Sequence, residues 1–249
     1  MSRPLPRRTV LSLLAVSATA LIASCSDSSE APKAEAPAAP ANPPASAETA
    51  PAAAEAPAAP AAAAPEPQGS VDMAKLLEAG ALPEKALGKA DAPVTIVEYA
   101  SMTCPHCAQF HAITLPELKT KYIDTGKARL IFREFPFDPR AEAGFMLARC
   151  SNDNYFPMID VLFKQQQSWA SVENAKDALL QISKLAGFSQ ESFEACLTDQ
   201  KLLEDVRAVR KRGEEEFKVD STPTFFINGN TYKGALTIAE MSAIIDGML

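Results

Sequence analysis

The sequence lacks an apolar run long enough to cross a membrane as a helix. Its N-terminal apolar run, residues 10–22, has 13 residues and includes Ser12, Ser17 and Thr19. A spanning helix needs about 20 predominantly apolar residues. We therefore expect no permanent membrane span.

An excess of basic charge is also missing. The formal net charge is −7, and residues 69–249 hold 20 basic against 25 acidic side chains. Proteins that bind nucleic acid carry clustered Lys and Arg. Nucleic acid is therefore not an expected partner.

Histidine is scarce, because only His106 and His111 occur in the chain. A closed zinc site needs four well-placed ligands, and the other cysteines lie far from this segment. We expect neither a metal nor a bound cofactor, and we interpret His111 as a partly buried helix residue.

The N-terminus has the layout of an export signal, with three arginines before the apolar run and small residues after it. Residues 18–20 (ATA) match an A-x-A cleavage site. Residues 22–25 (IASC) resemble the lipobox of bacterial lipoproteins, in which the cysteine carries lipid. We favour the second reading, which assigns residues 1–24 to the signal and the lipid anchor to Cys25.

Residues 25–68 are predicted to be a disordered tether. Within them, residues 31–65 contain 19 Ala and 9 Pro among 35 residues, so almost no large apolar side chain is available for a core. The folded domain is assigned to residues 69–249.

Strand and helix patterns in this domain predict an α/β fold. A short helix is predicted at 71–81, strands at 93–100 and 128–135, and between them a helix from the CPHC segment to Lys121, kinked or ended at Pro116. This βαβ unit should pair its strands in parallel. A helical block at about 139–218 follows, then a hairpin at 222–236 around Asn228-Gly229 and a capped helix from Thr237 to Gly247.

The segment EYASMTCPHCAQFH (98–111) contains two cysteines, Cys104 and Cys107, that can form a redox-active pair. Pro is favoured at the first helical position, which puts Cys104 at the N-cap, facing the free N–H groups and the positive end of the helix dipole. Cys107 lies one turn on, close enough for a disulfide. A thiolate at Cys104, assisted by His106, makes that disulfide an electron acceptor.

Glu98 shares strand parity with Val94 and Ile96, so its carboxyl should point into a packed face. A buried carboxyl is costly unless it has a partner or a function. We interpret Glu98 as the acceptor of the proton of Cys107; a position at the exposed end of the strand is the alternative.

Three segments, VEYASMTCPHCAQFH, ARLIFREFPFD and STPTFFING, resemble the DsbA-like branch of the thioredoxin superfamily. The resemblance covers about residues 85–249 and implies a thioredoxin fold, βαβ…ββα, with an inserted helical subdomain. It implies that Cys104 attacks, Cys107 resolves and His106 stabilises the thiolate. It also implies that Glu98 is the buried acid and that Pro223 is cis after Thr222.

The expected function is that of a periplasmic thiol:disulfide oxidoreductase, a lipoprotein of a Gram-negative bacterium that donates disulfides to exported proteins. The resemblance implies reoxidation by a membrane oxidase of the DsbB type. Thr222 before the proline is typical of isomerase relatives, so a reductase or isomerase stays open. A metal-handling lipoprotein that uses the CPHC cysteines as ligands is a further alternative.

The remaining cysteines, Cys150 and Cys196, both fall in the helical block. In an exported protein we expect them to form a disulfide, as in similar family members; two separate buried thiols are the alternative. Trp169, Phe135 and Phe137 are assigned to packing rather than to a peptide groove.

Overall fold

The computed structural model describes residues 63–249. The predicted export signal, Cys25 and the tether up to residue 62 lie outside the described residues. In the described part, none of the helices combines the length and the apolar character that a membrane span requires.

A five-stranded mixed sheet forms the centre of the domain. Its strands are β1 (Lys85–Leu87), β2 (Val94–Ala100), β3 (Ala128–Glu134), β4 (Thr224–Ile227) and β5 (Asn230–Lys233), in the spatial order β1-β3-β2-β4-β5. β2 and β3 are parallel and all other neighbours are antiparallel. Every residue of β2 is buried, as its β-branched, nearly continuous apolar sequence predicts for a strand covered on both faces. The predicted βαβ unit and hairpin are confirmed.

The edges of the sheet differ from the prediction. β1 pairs with β3, and Ser70 forms a bridge with Asn230 of β5; neither pairing was predicted from the sequence. Segments this short give no periodic pattern. The helix predicted at 71–81 is confined to α1 (Met73–Leu76), capped by Asp72.

The helix after β2 runs through Pro116 rather than ending there. It comprises α2 (Pro105–Gln109), a π-helical turn (Phe110–Thr114), α3 (Leu115–Leu118) and a second π-helical turn (Lys119–Ile123). The N–H of Leu115 donates to the carbonyl of Phe110, five residues back, so hydrogen bonding is already shifted where Pro116 lacks its donor.

The predicted helical block contains six α-helices and no strand. They are α4 (Pro139–Cys150), α5 (Tyr155–Lys164), α6 (Gln166–Trp169), α7 (Ala175–Leu185), α8 (Gln190–Thr198) and α9 (Gln200–Phe217), with a 3-10 turn at Asn152–Asn154. Cys150, at the end of α4, forms a disulfide with Cys196 of α8, with a Cα–Cα distance of 6.2 Å. The predicted bridge is confirmed. The chain then crosses β4 and β5 to α10 (Ile238–Asp246), which Thr237 caps as predicted.

The two faces of the sheet are covered by different elements. Val97, Tyr99 and Phe226 pack with α1 and the end of α9, where Gly213 brings the helix backbone against the Tyr99 ring. Ile96 and Phe225 pack against the 105–123 helix and α10. Glu98 shares the parity of Ile96, so its carboxyl lies under the helix that carries both active-site cysteines.

Candidate active site

Cys104 is the N-cap of α2 and Pro105 occupies the first turn, as the sequence predicts. The backbone of Cys104 is extended (φ −79°, ψ 119°) and its side chain makes no capping hydrogen bond. The sulfur is half-buried. It therefore stands at the positive end of the helix with access to solvent.

Local hydrogen bonds lower the pKa of Cys104 to about 5, from an ordinary value of 9.0. The hydrogen bond from the Cys107 thiol is the largest cause. Burial opposes it, and the Thr222 hydroxyl and the backbone N–H groups of Cys107 and His106 lower the pKa further. Each of these donors favours the charged form of the sulfur.

Cys107 behaves in the opposite way. It is fully buried, and burial raises its pKa well above the ordinary value; the hydrogen bond to Cys104 and the charges of Cys104 and Glu98 raise it further. The pair therefore combines one thiolate and one persistent thiol at neutral pH.

The chain segment before β4 lies beside Cys104, and the Thr222–Pro223 peptide bond is cis, as the resemblance implied. The Cys104 thiol donates to the Thr222 carbonyl over 3.2 Å, a contact that favours the neutral thiol. The buried Thr222 hydroxyl has no hydrogen-bond partner in this dithiol form, so it can turn to the sulfur once Cys104 ionises. The several donors around Cys104 outweigh the single carbonyl.

Three hydrogen bonds that were not predicted from the sequence hold the segment Met102 to Cys104. Gln166 Nε2 donates to the carbonyls of Met102 (2.8 Å) and Cys104 (3.0 Å), and Thr103 Oγ1 donates to Asp138 Oδ2 (2.5 Å). These partners come from 35 or more residues away in the chain. No local pattern marks them.

Glu98 is fully buried, as predicted, but its partner is unexpected. His111 is 5% exposed rather than partly buried, and its Nε2 lies 3.1 Å from each carboxylate oxygen of Glu98. The sequence held one usable signal, because His111 lies one helical turn after Cys107 on the side that faces β2.

The remaining residues that the sequence singled out differ in their distance from Cys104. His106 is exposed and acts on Cys104 through its backbone N–H; the role of its imidazole stays a prediction. Trp169 and Phe135 are core residues, as expected. Phe137 packs edge-on against the Phe135 ring, with centroids 5.3 Å apart, but it is 46% exposed and lines a surface cavity with Arg210, so it is packed only in part.

Comparisons with known proteins agree with this geometry. The Thioredoxin family profile matches residues 81–247. The crystal structure of α-DsbA1 from Wolbachia pipientis superposes with a TM-score of 0.65 at 33% identity, over 70% of this chain and 94% of that one. The chain belongs to the DsbA-like branch of the thioredoxin family.

Further similar proteins are known from bacteria. A Rickettsia bellii protein, named as a protein-disulfide oxidoreductase, is 38% identical over 165 residues, which cover 66% of this chain and 63% of the relative. The match thus spans less than two thirds of that relative's length. BdbD from Bacillus subtilis shares the fold at 20% identity, with a TM-score of 0.59, over 66% of this chain and 92% of that one.

We expect the Cys104 thiolate of this DsbA-like protein to titrate near pH 5, and Thr222→Val to raise that midpoint because one donor to the sulfur is lost. The pKa of Cys104 is lower in the folded protein than in the unfolded chain, so the thiolate stabilises the reduced folded protein. This stabilisation is complete above pH 9.0, the ordinary pKa of the thiol, and it is lost below about pH 5. The stability of the reduced relative to the oxidised protein should therefore fall as pH drops from 9 to 5.

Thiolate absorbance against pH, with denaturant unfolding of both redox forms, measures these effects. Thr231→Val is the matched control, because Thr231 lies in β5 outside the site. A midpoint near 8 to 9 in the native protein would contradict the assignment.

Proposed function

We propose that this DsbA-like protein is a thiol:disulfide oxidoreductase that introduces disulfides into exported proteins. The observation that carries the proposal is the contrast between the two sulfurs. The pKa of Cys104 is lowered to about 5, and that of Cys107 is raised well above 9.0. A disulfide whose reduced form is stabilised in this way is a good electron acceptor.

The different exposure of the two cysteines determines which sulfur a substrate attacks in the oxidising cycle. The oxidised pair presents the half-buried Cys104 sulfur to a substrate thiolate, while Cys107 is fully buried. Attack on Cys104 forms a mixed disulfide and releases Cys107 as a thiolate, which takes a proton because its pKa is high. A second substrate thiol then attacks the mixed disulfide, and Cys104 leaves as a stable thiolate.

Glu98 is the proposed proton carrier for Cys107. The carboxylate is close enough for its charge to raise the pKa of the thiol. In the forward reaction Glu98 passes a proton to the released Cys107. In the reverse reaction Glu98 accepts it.

The 222–223 segment is the proposed guide for the substrate chain. Pro223 has no backbone N–H, and the Thr222 carbonyl already lies at the Cys104 sulfur. An extended substrate can pair with the backbone of Thr222 by main-chain hydrogen bonds. Phe137, which is 46% exposed, offers an apolar contact for a substrate side chain.

The location and partners are also proposals. Membership of the DsbA-like branch and the signal-like N-terminus support a periplasmic protein anchored through Cys25 and reoxidised by a DsbB-type membrane oxidase. The Ala/Pro-rich tether would let the domain reach substrates about 100 Å from the membrane if it is extended, since polyproline chains span about 3.1 Å per residue.

The reduction potential tests the direction of the reaction. We expect a reduction potential between about −180 mV, the value of protein disulfide isomerase, and about −120 mV, the value of DsbA. Equilibration of the domain with glutathione redox buffers measures it. A value near the −270 mV of thioredoxin would reject the oxidase and favour a reductase, and stoichiometric metal in the reduced protein would favour the metal-handling alternative.

A further inference from the structure

The Glu98 carboxylate depends on a single polar neighbour. Within residues 63–249, the only hydrogen bonds to it come from His111 Nε2, at 3.1 Å to each oxygen. The side chains of Glu98 and His111 are 0% and 4% exposed. A carboxylate at such depth is costly to keep ionised unless a donor compensates it.

Aromatic rings surround the pair. The His111 ring lies 4.4 Å from the Phe163 ring and 5.3 Å from the Phe132 ring, centroid to centroid. In the sheet, Glu98 stands between Phe132 of β3 and Phe225 of β4. These neighbours fix the imidazole in place but cannot stabilise a negative charge by hydrogen bonding.

The other titratable groups facing the pair are already engaged. Tyr155 of α5 donates its hydroxyl to Glu134 of β3 (2.8 Å), and Glu134 pairs with Arg149 of α4 (2.5 Å). Burial raises the pKa of Tyr155 well above the ordinary value, so it keeps its proton. Cys107 of α2 is the remaining group near Glu98 that exchanges a proton in the proposed cycle.

We propose that His111 is a positioning residue whose Nε2–H holds the Glu98 carboxylate in place to exchange a proton with Cys107. This inference rests on the proposed function. Without His111 the buried carboxylate loses the hydrogen-bond donor that offsets its removal from water. Its proton exchange with Cys107 should then be slower.

The step concerned is attack by Cys107 on a mixed disulfide at Cys104. Cys107 gives its proton to Glu98, a bond forms between the sulfurs of Cys107 and Cys104, and the bond from Cys104 to the bound thiol breaks. The departing thiolate keeps the electron pair of the broken bond. The enzyme pair is thereby oxidised and the bound partner reduced, so no other oxidant takes part.

The test follows release of glutathione from the glutathione mixed disulfide of Cys104 by rapid quench and mass spectrometry, from pH 5 to 9. We expect His111→Leu to release glutathione about 100-fold more slowly at pH 7, the lower range for loss of a general base, and to recover as pH rises. His111→Gln keeps an N–H donor and should stay within threefold of wild type. Thr114→Val, a buried polar site on the same helix that bonds Leu236, is the control and should not change the rate.

Each result decides the proposal. A His111→Leu protein with the wild-type pH profile would overturn the proposal. So would a His111→Gln protein that releases glutathione tenfold or more slowly than wild type, and this second result holds even if the Leu variant does not fold. In a Glu98→Gln background, His111→Leu should have no further effect; an additional tenfold loss would also overturn it. If wild-type protein formed no mixed disulfide at all, the proposed function itself would fail.

Discussion

Cys104→Ser should abolish disulfide exchange, a loss of at least about 1,000-fold, whereas Cys107→Ser should trap substrates as stable mixed disulfides. The half-buried Cys104 sulfur is a thiolate at neutral pH because its pKa is about 5. In the Cys107→Ser protein it still attacks a disulfide, but nothing resolves the product. In the Cys104→Ser protein only a buried thiol of raised pKa remains.

The comparison uses a disulfide-containing peptide, with mixed disulfides counted by mass spectrometry under non-reducing conditions. Cys107→Ala is the informative companion, since it removes the largest cause of the lowered pKa of Cys104, while serine keeps a hydroxyl donor at that place. The Cys104 midpoint should therefore rise in the alanine variant. Trapping by Cys104→Ser but not by Cys107→Ser would reverse the roles.

The second large effect concerns stability: replacing both Cys150 and Cys196 by alanine should lower the free energy of unfolding by about 4 kcal/mol. The bridge closes a loop of 46 residues between α4 and α8, and loop entropy in the unfolded chain predicts that magnitude. For a domain of this size, the melting temperature should fall by about 10 °C. Denaturant unfolding with the active-site pair reduced in every sample measures the difference.

Fully reduced wild-type protein separates the crosslink from the side chains. It lacks the bridge but keeps both sulfur atoms. Its free energy of unfolding should therefore show most of the decrease expected for the double alanine variant. Cys196 is 5% exposed, and truncating it to alanine adds a small cavity term. A double variant as stable as the bridged protein would show that helix packing alone holds α4 and α8 together.

Much of the fold could be predicted because its signals are local. The buried run of β2, the Asn228-Gly229 turn and the Thr237 cap each act over a few residues, and each lies where the sequence places it. The helix does not end at Pro116, one of the two predicted outcomes, because a π-helical turn accommodates the missing donor. β1 was missed because its three residues are too few to show a periodic pattern. They form a strand only because they can pair with the edge of β3.

The catalytic pair itself is local, but its environment is not. Thr222 meets Cys104 across 118 residues, and Gln166 reaches the same loop across 62. Such contacts depend on how the helical block and β4 pack against α2. No short motif could predict them.

The sequence by itself determined which sulfur stands at the start of a helix, since a proline after Cys104 and a spacing of three residues are enough to set the N-cap and the partner. Only the tertiary structure decided how acidic that sulfur is and which side chain accompanies the buried Glu98. Both depend on removal from water and on donors brought from distant segments. Desolvation and long-range hydrogen bonds exist only after the chain has packed.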